Sequence, residues 1–143
     1  MDNETIHLYT DGSCEPNPGD MGIGILLRYK NHERHISRFL GDGTNNIAEL
    51  EAIRQGLLEL KTKEKPVIIY TDSQYCIGVL YQGWKANKNT KLVSYIKDLL
   101  KEFKTLSFVK VKAHDTNVAN NLTDELALKA CTTKVSSEIR RTI

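Results

Sequence analysis

Asp11 and Asp72 each follow a strand-like run, Glu49 falls in the first turn of a predicted helix and Asp124 lies within another. Taken singly, each has an ordinary local explanation. Asp11-Gly12 is turn chemistry, Glu49 suits a capping box with Asn46, Asp72-Ser73 suits a helix cap, and Asp124 suits a solvated surface. Taken together they describe something else. Neighbouring parallel strands bring their ends to one crevice at the edge of a sheet, which would join Asp11 to Asp72. Glu49 and Asp124 could lean over the same crevice. Four carboxylates in a small volume repel one another unless a cation sits among them. Hard divalent cations with oxygen ligands are the natural counterion, and Mg²⁺ uses a few carboxylates while leaving room for water and phosphate oxygens. Two such ions, about 3.5 to 4 Å apart, can promote an in-line phosphoryl displacement. His114 offers an imidazole able to exchange protons near neutral pH, which would make it a proton shuttle, while a lone histidine in a loop is ordinarily just solvated.

The elements that must position these groups are readable from hydrophobic period. Thr5 to Asp11 alternates and stops at Gly12-Ser13, which predicts a strand ending in a turn with Asp11 at its end. Gly22 to Lys30 and Glu33 to Gly41 predict two more strands joined at Asn31-His32, completing an antiparallel meander. Leu50, Ile53, Leu57 and Leu60 recur at helical spacing after an N-cap at Asn45 or Asn46. Val67 to Thr71 is a continuous apolar run, expected for a strand buried on both faces. A short helix from about Ser73 to Gln82 follows. Thr90 then caps a helix whose stripe of Leu92, Tyr95, Ile96, Leu99 and Phe103 is assigned to the core. Phe108 to Ala113 predicts the last strand, and Val118, Leu122, Leu126 and Ala130 mark the final helix. The order β-β-β-α-β-α-α-β-α mixes a meander with crossovers, so the fold class is α/β, one mixed sheet with helices packed on its faces.

A length of 143 residues suits one domain. The core is placed at about residues 5–131, with a polar, basic tail over 132–143. That tail, Glu138-Ile-Arg-Arg-Thr-Ile143, has two readings, docking on the domain or supplying basic contacts. A hydrophobic fraction of 40% and a charged fraction of 27% exclude a disordered or fibrous chain. No apolar run reaches the roughly 20 residues needed to cross a bilayer, and the acidic start Met1-Asp2-Asn3-Glu4 is no secretory signal. Cys14, Cys76 and Cys131 form no metal-binding or disulfide pattern. Reduced thiols, a cytoplasmic location and a monomer are expected. The net charge of +2 is too small to argue for nucleic acid, so any phosphate binding must be local. Lysines do gather at Lys85, Lys88 and Lys91 and again at Lys110 and Lys112.

The segments Tyr9-Thr-Asp-Gly-Ser-Cys14 with Asn17-Pro18-Gly19, Thr44-Asn-Asn-Ile-Ala-Glu-Leu50, Tyr70-Thr-Asp-Ser-Gln-Tyr75, His114, and Asn120-Asn-Leu-Thr-Asp-Glu-Leu-Ala127 together resemble type 1 ribonuclease H. The resemblance runs in order from about Tyr9 to Ala130. It implies a ribonuclease H fold, a five-stranded mixed sheet with helices on both faces. It also implies Mg²⁺- or Mn²⁺-dependent cleavage of the RNA strand of an RNA/DNA hybrid by two ions, leaving 5′-phosphate and 3′-hydroxyl ends. On the family pattern Asp11, Glu49, Asp72 and Asp124 bind metal, with Asp11 bridging both ions. His114 matches a mobile catalytic histidine. Asn17, Asn45, Asn46 and Gln74 match positions that contact the RNA strand, and an amide suits a ribose 2′-hydroxyl because both donate and accept. Cys14 shares that loop, Thr44 is matched to a DNA phosphate, Trp84 to the DNA sugars, and Asn120 is assigned with the substrate contacts.

Two departures stand out. The family usually reads Lys-Gly-His-Ala where this chain reads Lys112-Ala113-His114-Asp115, and loss of the glycine should stiffen that loop. Between Tyr75 and Thr90 the chain lacks the extra basic helix of many bacterial relatives, and no separate hybrid-binding module precedes the catalytic domain. The competing readings are a DNA-acting polynucleotidyl transferase of the same fold and a non-catalytic module that binds hybrid or double-stranded RNA.

Overall fold

The computed structural model describes residues 4–112 and 118–143. Its strands are β1 (Ile6–Glu15), β2 (Gly19–Tyr29), β3 (His32–Gly43), β4 (Val67–Thr71), β5 (Leu106–Lys110) and β6 (Ser137–Thr142), and its helices are α1 (Asn45–Leu58), α2 (Gln74–Tyr81), α3 (Thr90–Lys101) and α4 (Val118–Thr133). The strands form one sheet in the order β5-β4-β1-β2-β3-β6. The meander β1-β2-β3 is antiparallel, while β4 and β5 run parallel to β1 through helical crossovers. The mixed α/β architecture expected from the sequence is present with six strands where five were expected. The sixth is the tail, which pairs antiparallel with β3 from Ser37↔Ser137 to His32↔Thr142.

β1 does not stop at Gly12-Ser13. Those residues continue the ladder opposite Ile23 and Gly22, and the turn falls instead at residues 16–18. Asp11 is therefore inside a strand. It nevertheless reaches an open crevice, because β4 accompanies β1 only as far as Tyr9↔Tyr70. The predicted connection at Asn31-His32 moves back by one residue, with Lys30 at a positive φ of 55°. β5 begins and ends earlier than predicted, since it follows the short β4 from Val67↔Leu106 to Thr71↔Lys110.

Successive β1 residues face opposite sides of the sheet. Leu8 and Gly12 face α1: a Cβ on Gly56 would meet Leu8 Cδ1 at 2.8 Å, and one on Gly12 would fall 2.4 Å from the Ala48 carbonyl carbon. On this side Leu8, Ile25, Ile53 and Ile69 are fully buried, each contributing about 1.5 to 3 kcal/mol over exposure. The other side belongs to α4. A Cβ on Gly24 would sit 2.1 Å from Thr123 O, and one on Gly22 2.3 Å from Ala127 O. The helix backbone thus lies directly on β2. That closeness explains why the predicted α4 stripe is rotated: Ala119, Asn120, Thr123, Ala127, Ala130 and Cys131 face inward, and Val118 is exposed. Only small side chains fit there. Because α4 packs on β1, β2 and β3, Ile68 and Tyr70 of β4 stay partly exposed, so β4 is not sealed on both faces as expected.

The caps also differ in detail. Thr44, not Asn45 or Asn46, caps α1 by accepting from Ile47 N at 3.2 Å. Ser73 caps α2 by accepting from Cys76 N at 3.1 Å. Thr90 is the first residue of α3, after Asn89 in the left-handed region. The buried stripe of α3 is Val93, Ile96 and Leu99, continued by Phe103. Tyr95 is half exposed, beside the Arg54 guanidinium. The three thiols are free and buried. Among the described residues no helix is long and apolar enough to cross a membrane.

Arg34 ties β6 to the body by pairing with Glu138 at 2.9 Å and Glu59 at 2.6 Å. The guanidinium of Arg34 holds the Glu138 carboxyl down at about 2, against an ordinary 4.5. A depressed carboxylate stabilises the fold above its unfolded value and loses that contribution as pH falls toward its folded one. Acid unfolding between about pH 4.5 and 2 should therefore be less steep in Glu138→Gln, as measured by melting temperature against pH. Gly24→Ala should cost about 3 kcal/mol in denaturant unfolding, since the helix on it cannot retreat without opening the core.

Candidate active site

The acids are gathered by backbone proximity. Because Gly12 has no side chain, the first turns of α1 rest on β1 there, and Glu49 Oε1 accepts from Gly12 N at 2.9 Å. The carboxylate is drawn back over the strand, which leaves no capping box with Asn46. Asp11 points toward the α4 side, as its register partner Gly24 does. Asp72 follows the last residue of β4. One oxygen each from Asp11, Glu49 and Asp72 lie within 4.8 Å of one another. Asp124 is half-buried on α4 and hydrogen-bonds toward Asp11. It adjoins the tight set of three as a fourth acid. The expected convergence is present, with Asp124 on the α4 side.

Asp11 is only 3% exposed. Burial, then the charges of Glu49 and Asp72 and the contact with Asp124, raise its carboxyl to about 10. Burial and Asp72 raise Glu49 to about 8, against the opposing pull of the Gly12 N–H. The cost is desolvated like charge. A divalent cation bound by these oxygens would remove it, and the donor set of hard carboxylates, partly open on one side, fits Mg²⁺ or Mn²⁺ better than a thiolate- or imidazole-seeking metal.

Between the β1-β2 turn, the start of α1, and α2 with the segment that follows it lies a cavity of about 730 Å³ lined by Asn17, Thr44, Asn45, Asn46, Trp84 and Lys88, among others. Asn17 Oδ1 accepts from Asn45 N at 3.1 Å, tying the β1-β2 turn to the start of α1. Trp84 is 48% exposed. Its indole packs on Gly78 of α2, where a Cβ would meet Cε3 at 2.1 Å, and the rest of the ring lines the cavity. Gln74, at the start of α2, donates to Gln82 at 3.1 Å. Two residues singled out by the sequence are not on this surface. Cys14 is buried and its thiol donates to the carbonyls of Pro16 and Gly43, bracing the turn. Asn120 is buried on the inner face of α4. His114 and Asp115 lie outside the described residues. Sequence reading missed Tyr75, Asn87 and Asn89, which also line the cavity. The run of amides and lysine from Asn87 to Asn89 was the available signal.

The family profile described as RNase H matches residues 3–132. The chain belongs to the RNase H family. It is 41% identical to the Ribonuclease H of Caldanaerobacter subterraneus subsp. tengcongensis, the match covering 87% of this chain and 90% of that protein. Against the Ribonuclease HI of Neisseria meningitidis serogroup A the identity is 40%, covering 87% and 94%. Among solved structures, LC11-RNase H1 in complex with RNA/DNA hybrid is similar with a TM-score of 0.75 and 27% identity, over 90% of this chain and 98% of that one. The RNase H1 of Halobacterium salinarum NRC-1 is similar at a TM-score of 0.76 and 25% identity, with coverage of 90% and 98%. This RNase H is thus a nuclease of the hydrolase class with a carboxylate cluster suited to a divalent metal.

Raised carboxylates make the metal-free enzyme pH-sensitive. The folded state holds protons that the unfolded chain, titrating at 3.8 and 4.5, has released, so the contribution is fully present at low pH and is lost as pH rises toward the folded values of about 10 and 8. In EDTA the melting temperature should fall from about pH 5 to pH 8. Asp11→Asn should melt higher than wild type at pH 8 and show a flatter profile, and Mg²⁺ should raise the wild type more than the variant.

Proposed function

We propose that this RNase H hydrolyses the RNA strand of RNA/DNA hybrids with two divalent ions, Mg²⁺ or Mn²⁺, leaving 5′-phosphate and 3′-hydroxyl ends. The observation that carries the reading is the set of Asp11, Glu49 and Asp72 oxygens within 4.8 Å around a carboxylate almost removed from water. Asp11, Glu49, Asp72 and Asp124 would be the residues that hold the ions. Bound there, divalent ions supply Lewis acidity for the scissile phosphate and for water. The chain's own contribution is placement. Glu49 is fixed by the Gly12 N–H, Asp72 by the end of β4, and Asp124 by the close seat of α4 on Gly24. His114 is assigned to proton exchange with the attacking water or the departing product, as an imidazole can do near neutral pH.

Discrimination for RNA rests on amides. Asn17, Asn45 and Asn46 line the cavity at the start of α1, and Gln74 opens the neighbouring helix. Each can both donate to and accept from a 2′-hydroxyl. Thr44 and the lysines Lys85 and Lys88 offer phosphate contacts along the same cavity, and Trp84 a flat face for the DNA sugars. Cys14 and Asn120 act on the substrate through the turn and the helix that they brace. Three buried free thiols fit a reducing compartment such as the cytosol.

Incubation with labelled hybrid, duplex DNA and duplex RNA, each in Mg²⁺, Mn²⁺ or EDTA, tests the proposal. Hybrid should be cut in metal and spared in EDTA, with duplex DNA spared throughout. Hybrid that is bound yet intact in every metal would refute it. Loss of any ligand, as in Asp72→Asn, should cost about 10³-fold or more, the equivalent of several kcal/mol of transition-state stabilisation. His114→Ala should slow turnover by about 10²-fold or less without changing metal dependence. With few lysines near the cavity, the salt dependence of hybrid binding should be shallow, about 0.9 in slope for each phosphate neutralised.

A further inference from the structure

β6 forms one outer edge of the sheet, and all six of its residues are exposed. The large apolar side chains here are unusually bare. Ile143 at 73%, Val135 at 60% and Ile139 at 57% are exceeded, among the described residues, only by Val118 at 76%. An exposed, partly apolar edge strand is a template for pairing with another strand. Ile143 N donates to Asn31 O at 2.7 Å, and in an antiparallel ladder alternate residues bond inward. Ser137, Ile139 and Arg141 therefore commit their backbone groups to β3, while Glu138, Arg140 and Thr142 direct theirs outward. We propose that β6 pairs antiparallel with β6 of a second copy of this chain about a two-fold axis at Ile139, joining two sheets into one. A monomer is the expectation from the sequence, and the pairing would add a second state at high concentration.

The register follows from the side chains. Outward-bonding residues must face outward-bonding residues, so a two-fold axis has to pass through a residue and not between two. An axis at Arg140 would set arginine against arginine and Ile139 against Arg141. An axis at Glu138 would set glutamate against glutamate and Ile139 against Ser137. An axis at Ile139 sets Glu138 against Arg140 on both sides, Ile139 against itself, and Ser137 against Arg141. Of the three, only that register sets Ile139 against itself and each charge at Glu138 and Arg140 against its opposite. Charges on an edge usually discourage pairing. In β6 their order is self-complementary, and Glu138, already held by Arg34 at 2.9 Å and Arg140 at 2.7 Å, would gain a second arginine. A single strand pair is smaller than a standard stable interface, so the dimer is weak and concentration-dependent. β3 and β2 separate β6 from β1 and its acid, which leaves each site's chemistry as it is in one copy.

Sedimentation velocity of the full chain, in a series reaching about 1 mM, should show a reversible shift from monomer to dimer. Arg140→Pro removes an outward N–H and spares the inward ladder, a position where an edge strand tolerates proline. It should raise the dimer dissociation constant at least tenfold while hybrid cleavage at low enzyme concentration is unchanged. The register is read by cross-linking. Ile139→Cys would meet itself in a non-hydrogen-bonded pair with Cα atoms about 4.5 Å apart, within disulfide range, whereas Arg141→Cys would face Ser137. Under mild oxidant the first should cross-link and the second should not, with the native thiols buried in both. A wild type monomeric throughout, or a dimer untouched by Arg140→Pro, would overturn the interface. Equal cross-linking of the two cysteine variants would overturn the register.

Discussion

The close seat of α1 on β1 at Gly12 is the constraint from which the rest of the site follows. Any Cβ at Gly12 would lie 2.4 Å from backbone atoms of Ala48 and Glu49. With none there, the helix descends until Glu49 can take the Gly12 N–H at 2.9 Å. Asp11, one residue earlier, necessarily faces the opposite side of the strand, where α4 makes an equally close approach over Gly24 and presents Asp124. Two helices on two faces thus reach one short stretch of strand. β4 ends just where that stretch begins, so Asp72 enters from the side and the crevice stays open. Bare backbone at Gly12, Gly22 and Gly24 does the positioning, and the acids are carried along.

That arrangement is bad for the folded protein on its own. Burying Asp11 against three other carboxylates raises its proton affinity steeply, and the same field acts on Glu49. Such conflict is characteristic of functional sites, where local stability is given up for chemistry. The large apolar core on the α1 side tolerates the loss. Rigid placement by helix-on-strand contact also lets the ligands keep their geometry when the charge is neutralised, so little reorganisation is needed as a cation arrives.

The meander, the crossovers and the four acids were legible because each leaves a periodic or punctuating trace: the alternation of Ile6, Leu8 and Thr10, the apolar run before Asp72, the helical spacing of Leu50, Ile53 and Leu57. What the sequence reading placed wrongly depends on contacts with distant residues. Gly12-Ser13 looks like a turn until Ile23 and Gly22 are known to lie opposite. The inner face of α4 cannot be guessed from Val118, Leu122 and Leu126, because the facing surface is glycine backbone and selects small side chains. Tyr95 reads as core by spacing alone, yet its ring lies beside Arg54 at the surface. The tail reads as polar and basic, and its strand character appears only once β3 offers an unpaired edge. Trp84 needed the bare surface of Gly78 to be told from a core residue.

If Asp11, Glu49 and Asp72 hold a divalent cation, the metal-free chain must bind one in solution. Titration of Mn²⁺ into the metal-free chain, followed by electron paramagnetic resonance, tests it most directly. Saturable binding that Mg²⁺ displaces, and that Asp11→Asn abolishes in a folded protein, is the expected result. Mn²⁺ binding that persists unchanged in Asp11→Asn, or no saturable binding by the wild type with or without hybrid, would contradict it.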